Sequence, residues 1–209
     1  MAAASRELDA GFASLTAINI GAIARTHLIF CETRRGRASF HEQSARSLLD
    51  TYLRHGELQH VPGIMAALAA VLNPTGRPAE AAATIRSVFD HPDVQRSIAF
   101  RVMLRHQLAI SLIDQGQTDD ARSLLADAVQ DCDSVGDIAG AADAERLLGA
   151  LDRDSGEHRA AAARLHRAGE LYQEVGDPVG SADVLEEVAG LALDIERFDV
   201  AARLLGAAV

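Results

Sequence analysis

The sequence predicts an all-α fold, an α-solenoid of about five helix-turn-helix repeats. Three observations predict it. Residues 174–183 read EVGDPVGSAD, and forty residues earlier residues 134–143 read SVGDIAGAAD. Glycine recurs on the same interval at Gly36, Gly76, Gly116 and Gly156, with Glu196 in the fifth slot. Each period also holds two apolar segments at three- and four-residue steps, the mark of an amphipathic helix.

The register holds along the chain without insertion. Leu28, Leu68, Leu108, Leu148 and Val188 form one column. His41, Ala81, Ala121, Ala161 and Ala201 form a second, and Ile85, Leu125, Leu165 and Leu205 a third. Leu48, Val88, Ala128, Ala168 and Ala208 form another. The first helices of the pairs are predicted near 12–34, 59–73, 94–115, 137–154 and 178–195. The second helices are predicted near 39–54, 78–90, 118–133, 158–174 and 197–208. The repeats therefore run near 12–54, 59–90, 94–133, 137–174 and 178–209, and residues 1–209 read as a single domain.

The punctuation between these helices has a physical basis. The glycine inside each pair is a helix stop, because Gly tolerates the left-handed conformation beyond a C-cap. Thr118 is a candidate cap for the following helix, and Ser39 with Glu42 has capping-box spacing. At the longer joint, Gly176 stops one helix, Asp177 caps the next and Pro178 takes its first position. Gly136 and Asp137 repeat that arrangement one period earlier.

Composition narrows the function classes. The chain is 48% hydrophobic but only 4% aromatic, which suits close helix packing more than a β-sandwich. All twenty basic residues are Arg, and the formal net charge is −10. Residues 101–209 hold ten Arg against twenty-one acids, a balance that repels nucleic acid and anionic membrane or simply keeps the chain soluble. No apolar run is long enough to span a bilayer, and residues 1–30 lack the layout of a signal peptide, so a cytoplasmic location is expected. Cys31 and Cys132 lie in apolar helical patterns and read as buried thiols. Without Lys there is no phosphate loop of the G-x-x-x-x-G-K-[ST] type, and no basic recognition helix appears. The eight His show no metal-binding spacing, and no catalytic, cofactor-binding or metal-ligating set is predicted. Acid pairs such as Asp119-Asp120 and Glu186-Glu187 read as helix-start or solvent-facing charges.

The columns resemble tetratricopeptide repeats: a Leu followed by a small residue in the first helix, a Gly, then an Ala and two further apolar positions. Leu68-Ala69, Leu108-Ala109, Leu148-Gly149 and Val188-Ala189 are the Leu–small pairs, set to pack on Ala81, Ala121, Ala161 and Ala201. Ile29 and His41 occupy those small positions in the first repeat. The period of forty is longer than the usual thirty-four, and the standard Trp, Tyr and terminal Pro are missing. The V-G-D joint and the segment SADVLEEVAGLAL…VAARLLGAAV (181–209) resemble the C-terminal helical arrays of LuxR-type regulators with an ATPase core. MalT-like proteins, SARP-type activators and cyclase-linked ATPases share that likeness. The resemblance implies a right-handed superhelix whose concave surface is lined by the first helices. It would show Thr26, Phe30, Arg34, Asn73, Met103, His106, Ile110, Ile113, Asp143, Arg146, Arg153, Asp183 and Glu186.

Within that surface Met103, Ile110 and Ile113 form an apolar patch beside His106 and Arg146, with Phe30, Asp143 and Asp183 along the groove. Two readings of these residues stand: lining for a protein, peptide or small-effector partner, or inter-repeat core. The leading expectation is a non-enzymatic interaction or sensor domain that belongs to, or partners with, a bacterial transcriptional regulator. It makes no direct contact with nucleic acid or membrane. A homodimerising scaffold joined through terminal helices is the alternative, and a helical enzyme using His106, Asp143 and Arg146 is a remote one. The apolar run Leu204–Val209 implies either a piece of a longer chain or a subunit contact, since solenoids cap their ends with polar faces.

Overall fold

The computed structural model describes residues 41–55 and 60–207, together with Ala24, Thr26, Leu28, Ile29 and Glu32. The predicted first helix (12–34) is mostly outside these residues, as are Phe30, Cys31, Gly36 and Ser39. Among the described residues the fold is all-α, with no strand. The helices are α1 (Glu42–His55), α2 (Val61–Leu72), α3 (Pro78–Phe89), α4 (Pro92–Arg96), α5 (Ile98–Ile113), α6 (Thr118–Val135), α7 (Ile138–Asp154), α8 (His158–Val175), α9 (Pro178–Asp194) and α10 (Phe198–Ala207). They form two compact units, residues 1–115 and 116–209, and the division cuts the predicted third repeat between α5 and α6.

Left-handed stops fall on the predicted register after α2 and after each of α5 to α9, whereas α3 ends at Asp90 with φ −84°. Gly76, Gly116 and Gly156 have φ of 77°, 73° and 77°, and Gly136 and Gly176 have 71° and 69°. Beyond three of the stops inside pairs, a backbone N–H reaches back five residues to close the helix. Arg77 donates to the Leu72 carbonyl at 3.1 Å, Glu157 to Asp152 at 2.8 Å and Arg197 to Ala192 at 2.7 Å. Donors and acceptors recur at multiples of forty, so the sequence period is a period of helix termination. Glu196 takes the same left-handed turn with φ 59° although it carries a Cβ. A left-handed L-residue costs roughly 1–2 kcal/mol. Glu196→Gly is therefore expected to stabilise the chain by about 0.5–1 kcal/mol, read as a higher urea midpoint at unchanged m.

The joints between pairs use side-chain caps. Asp177 Oδ1 accepts from the backbone N–H groups of Val179 (2.9 Å) and Gly180 (3.1 Å), and Pro178 opens α9. Asp137 Oδ1 accepts from Gly140 N–H at 3.0 Å. Ser97 completes the column. Its extended backbone ends α4, and its hydroxyl accepts from Phe100 N–H at 3.4 Å to start α5. The continuous helix predicted over 94–115 is therefore broken at Ser97. Thr118 is not a cap either: it is the first residue of α6, and Gln117 precedes it without a side-chain cap bond.

In the first unit α2 is the central element. It is apolar nearly all round (VPGIMAALAAVL), and it packs on α1, α3 and α5. Arg46 and Arg77 tie α1 to α3 outside it. Arg77 bonds Glu42 and Glu80, and Arg46 bonds the same two carboxylates. Leu28 departs from its column: it is 43% exposed, and its neighbour Ile29 is buried instead. Ile29 fills a slot that is small in later repeats, and the leucine is displaced to the surface. In the second unit α7 packs on α6, α8 and α9, and α9 carries α10. Ala189, Ala192 and Ala201 form one buried cluster, with Val200 and Leu204 against it, as the Ala189–Ala201 pairing predicted. The close approach at Gly149 is made to Leu165, one turn beyond Ala161: a methyl on Gly149 would meet Leu165 Cδ2 at 2.9 Å.

Candidate functional site

The first-helix faces carry the predicted groove residues, and each unit presents its own set. In the first unit α5 buries Val102, Leu104, Leu108, Ala109 and Leu112 completely or nearly so. Met103, Ile110 and Ile113 are only half-buried. His106 is not on the surface: it is 8% exposed within α5. Asn73, expected on the same surface, is also buried, and its Oδ1 accepts from the Ser111 hydroxyl at 2.9 Å. Ser111 bonds the Gln107 carbonyl as well, at 2.8 Å. Met103 lies against α2 at Gly63, whose missing side chain leaves room for its methyl group. Phe30 lies outside the described residues.

In the second unit the structure brings Asp143 and Arg146 together at a residue the sequence reading does not single out, Tyr172, with Asp183 near Arg146. The Tyr172 hydroxyl donates to Asp143 Oδ1. Arg146 sits beside both. Its Nη1 lies 4.0 Å from Glu187 Oε1, while Arg153 bonds the other Glu187 oxygen at 2.6 Å. Glu187 is thus an ion-pair partner and not simply a solvent-facing acid. Burial opposes the charge of Arg146, but Tyr172, Asp143 and Asp183 outweigh that and hold its pKa above the usual value. Burial and then the Asp143 charge push the Tyr172 phenol well above its ordinary range. Tyr172 therefore stays protonated and works as a hydrogen-bond donor. A signal for it existed, since Tyr52 stands three periods earlier and is buried too. One period before Tyr172 the slot holds Cys132, a buried thiol pushed up to about 12 by burial and by Asp137, Asp131, Asp133 and Asp143. Such a thiol is no nucleophile at neutral pH.

The Tyr172 shift has a consequence for stability with a definite sign. A phenol whose folded-state pKa is raised binds its proton more tightly in the folded state. Its contribution is complete below about pH 10 and is lost as pH rises beyond that. The chain has no Lys, but the Cys132 thiol, raised in the same direction, contributes an alkaline loss of the same sign that Tyr172→Phe leaves in place. The urea midpoint is expected to fall as pH rises above about 10, and Tyr172→Phe is expected to flatten that fall. An equally steep fall in the variant would remove Tyr172 as its cause.

A second polar network joins α6, α7 and α8. Asp152, 5% exposed, accepts from Arg122 of α6 and from Arg164 Nε of α8 at 3.0 Å. Arg164 Nη1 also bonds Glu145 at 2.8 Å. Positions 72, 112 and 192 of that column hold Leu72, Leu112 and Ala192, all buried, so Asp152 is a buried acid in an apolar column. Among the described residues no group of three or more His, Cys, Asp or Glu is arranged to hold a metal ion. No described helix is long and apolar enough to cross a membrane.

Two stretches match the tetratricopeptide-repeat family model, residues 62–87 and 102–127. They are one period apart and cover α2–α3 and most of α5–α6. The array is tetratricopeptide-like. Repeats of this kind mediate the binding of protein partners. Solved structures agree on the fold: 28 chains match, among them the crystal structure of BtubC (BKLC) from P. vanneervenii. That chain is 17% identical with a TM-score of 0.62, and the match covers 84% of this chain and 72% of that one. At that identity the likeness is one of fold. No curated protein matches the sequence.

Proposed function

We propose that this chain is a non-enzymatic interaction module whose first-helix face binds a protein or peptide partner, or a small effector. In this reading it acts in the cytoplasm as part of, or partner to, a bacterial transcriptional regulator. It touches neither nucleic acid nor membrane itself. The observation that carries the reading is the division of labour along α5. Its core residues are buried, whereas Met103, Ile110 and Ile113 are left half in water on a helix whose stretch matches an interaction repeat. Half-buried apolar groups lose their remaining water when a partner covers them, and that supplies affinity. In the second unit, taken by itself, Asp143, Arg146 and Asp183 give the first-helix face its charge. The V-G-D joints, similar to those of regulator arrays, support the regulatory context. Ligand binding would bias one arrangement of the helices over another and so gate the regulator.

The test is a partner screen with matched variants. A bound ligand at a hundred times its Kd stabilises by about 2.7 kcal/mol, which a thermal melt resolves. Met103→Asp and Ile110→Asp, checked for helicity, are each expected to weaken such a partner at least tenfold. If both variants remain folded and bind every recovered partner as tightly as the original chain, the first-helix face is not the site.

A further inference from the structure

The α9–α10 turn departs from its own repeat twice. The stop glycine of the earlier turns is replaced by Glu196 at φ 59°. In the α7–α8 turn the flanking positions are Arg153, Ser155 and His158, whereas here the same positions are Leu193, Ile195 and Phe198. These three are 46%, 49% and 65% exposed. Phe198 is more exposed than any other large hydrophobic side chain among the described residues. Other turns hold one or two apolar groups, such as Ile113, Val135, or Val175 with Val179, so it is the grouping of three large ones, Phe198 among them, within six residues that marks this turn as an interaction surface.

Charge selects the occupant. The second unit carries eight Arg against twenty acids. Arg122, Arg146, Arg153 and Arg164 are engaged in ion pairs within the unit, and Arg197 and Arg203 both pair with Asp199. Arg153 is shared by Asp154, Glu187 and Asp194, and Glu157 and Glu196 add two further carboxylates, so acids outnumber arginines around the turn and its net charge is negative. A field of that sign attracts a basic partner and repels a second copy of the same acidic edge. Apolar contact flanked by carboxylates fits an amphipathic helix with one apolar face and Lys or Arg beside it.

We propose that the α9–α10 turn docks a basic amphipathic helix of a partner protein, with Leu193, Ile195 and Phe198 against its apolar face. This surface is separate from the α5 face of the proposed function and does not depend on it. The probes are three fluorescent synthetic peptides: an amphipathic Leu/Lys helix, a scrambled peptide of the same composition, and the Leu/Glu counterpart of the helix. Each is titrated against the full chain by anisotropy. The Leu/Lys helix is expected to bind at least tenfold more tightly than either control, and more weakly as salt rises. Ile195→Ser with Phe198→Ser is expected to cost a further tenfold or more, while Asp119→Asn with Asp120→Asn and Ile110→Asp leave binding unchanged. Both substituted side chains are exposed, so the melt of the double variant should match the original. The proposal is overturned if the double variant binds as well as the original, if the Leu/Glu helix binds equally, or if light scattering shows a dimer that the double variant dissolves. The last result would assign the turn to a second copy. Loss of binding in Ile110→Asp alone would assign the peptide to the α5 face.

Discussion

Replacing Arg122 and Arg164 together by Ala is expected to destabilise the chain by about 3–5 kcal/mol, whereas Asp152→Leu should cost about 1 kcal/mol or less. The asymmetry comes from where each partner sits. The Asp152 side chain is 7% exposed, while those of Arg122 and Arg164 are 35% and 37% exposed. Without its two guanidinium groups the carboxylate is stranded among buried apolar side chains, and a buried unpaired charge is severely penalised. Without the carboxylate the arginines can turn outward into water, with Arg164 still bound to Glu145. The leucine then occupies a position that Leu72 and Leu112 fill elsewhere in the array. Urea unfolding measures both variants. If Asp152→Leu proves as costly as the double Arg variant, the network contributes net stability beyond the relief of a buried charge.

That network also shows where sequence reading stops. Helix punctuation was legible because it is local. A left-handed stop favours Gly within one residue of a fixed place, an Asp cap follows it at the joints, and forty-residue spacing multiplies both signals. The helix ends in 78–90, 118–133, 137–154 and 158–174 accordingly fall within two residues of α3, α6, α7 and α8. The break at Ser97 is not legible because Arg96 stands where Gly136 and Gly176 mark the later joints, although Ser97 is one period before Asp137. Leu28 was misplaced because a column of aliphatic residues does not say which of two neighbours turns inward. The polar interior was illegible for a different reason. Asp152 and Arg122 are thirty residues apart, as are nearly Tyr172 and Asp143, and charge pattern alone does not mark which acids a fold will bury. Of the predicted groove, Asp143 and Arg146 do converge, but on Tyr172, which carries no motif, and Asp183 lies near Arg146. Met103, Ile110 and Ile113 share α5, and His106 is buried there.

Leu165→Ala is expected to cost about 2–5 kcal/mol, and the loss should be smaller in a Gly149→Ala background. Leu165 is fully buried in α8, on a column shared with Ile85 and Leu125. Its truncation removes apolar contacts and leaves a cavity between α7 and α8 that close packing only partly refills. Gly149 is the opposing wall. With Leu165 in place, a methyl there would meet Cδ2 and Cγ at 2.9 Å, so Gly149→Ala alone overpacks the interface and should cost about 1–3 kcal/mol. With Leu165 shortened, the same methyl enters the vacated space. It also carries the better helix propensity of Ala over Gly, worth roughly 1 kcal/mol in a helix interior. The loss in the double variant should therefore be at least about 1 kcal/mol smaller than the sum of the single losses, measured as a double-mutant cycle by urea denaturation. Strict additivity would mean that α7 and α8 do not meet through these two residues. The repeat would then need another explanation for placing a glycine beside Leu148 where the other repeats place Ala69, Ala109 and Ala189.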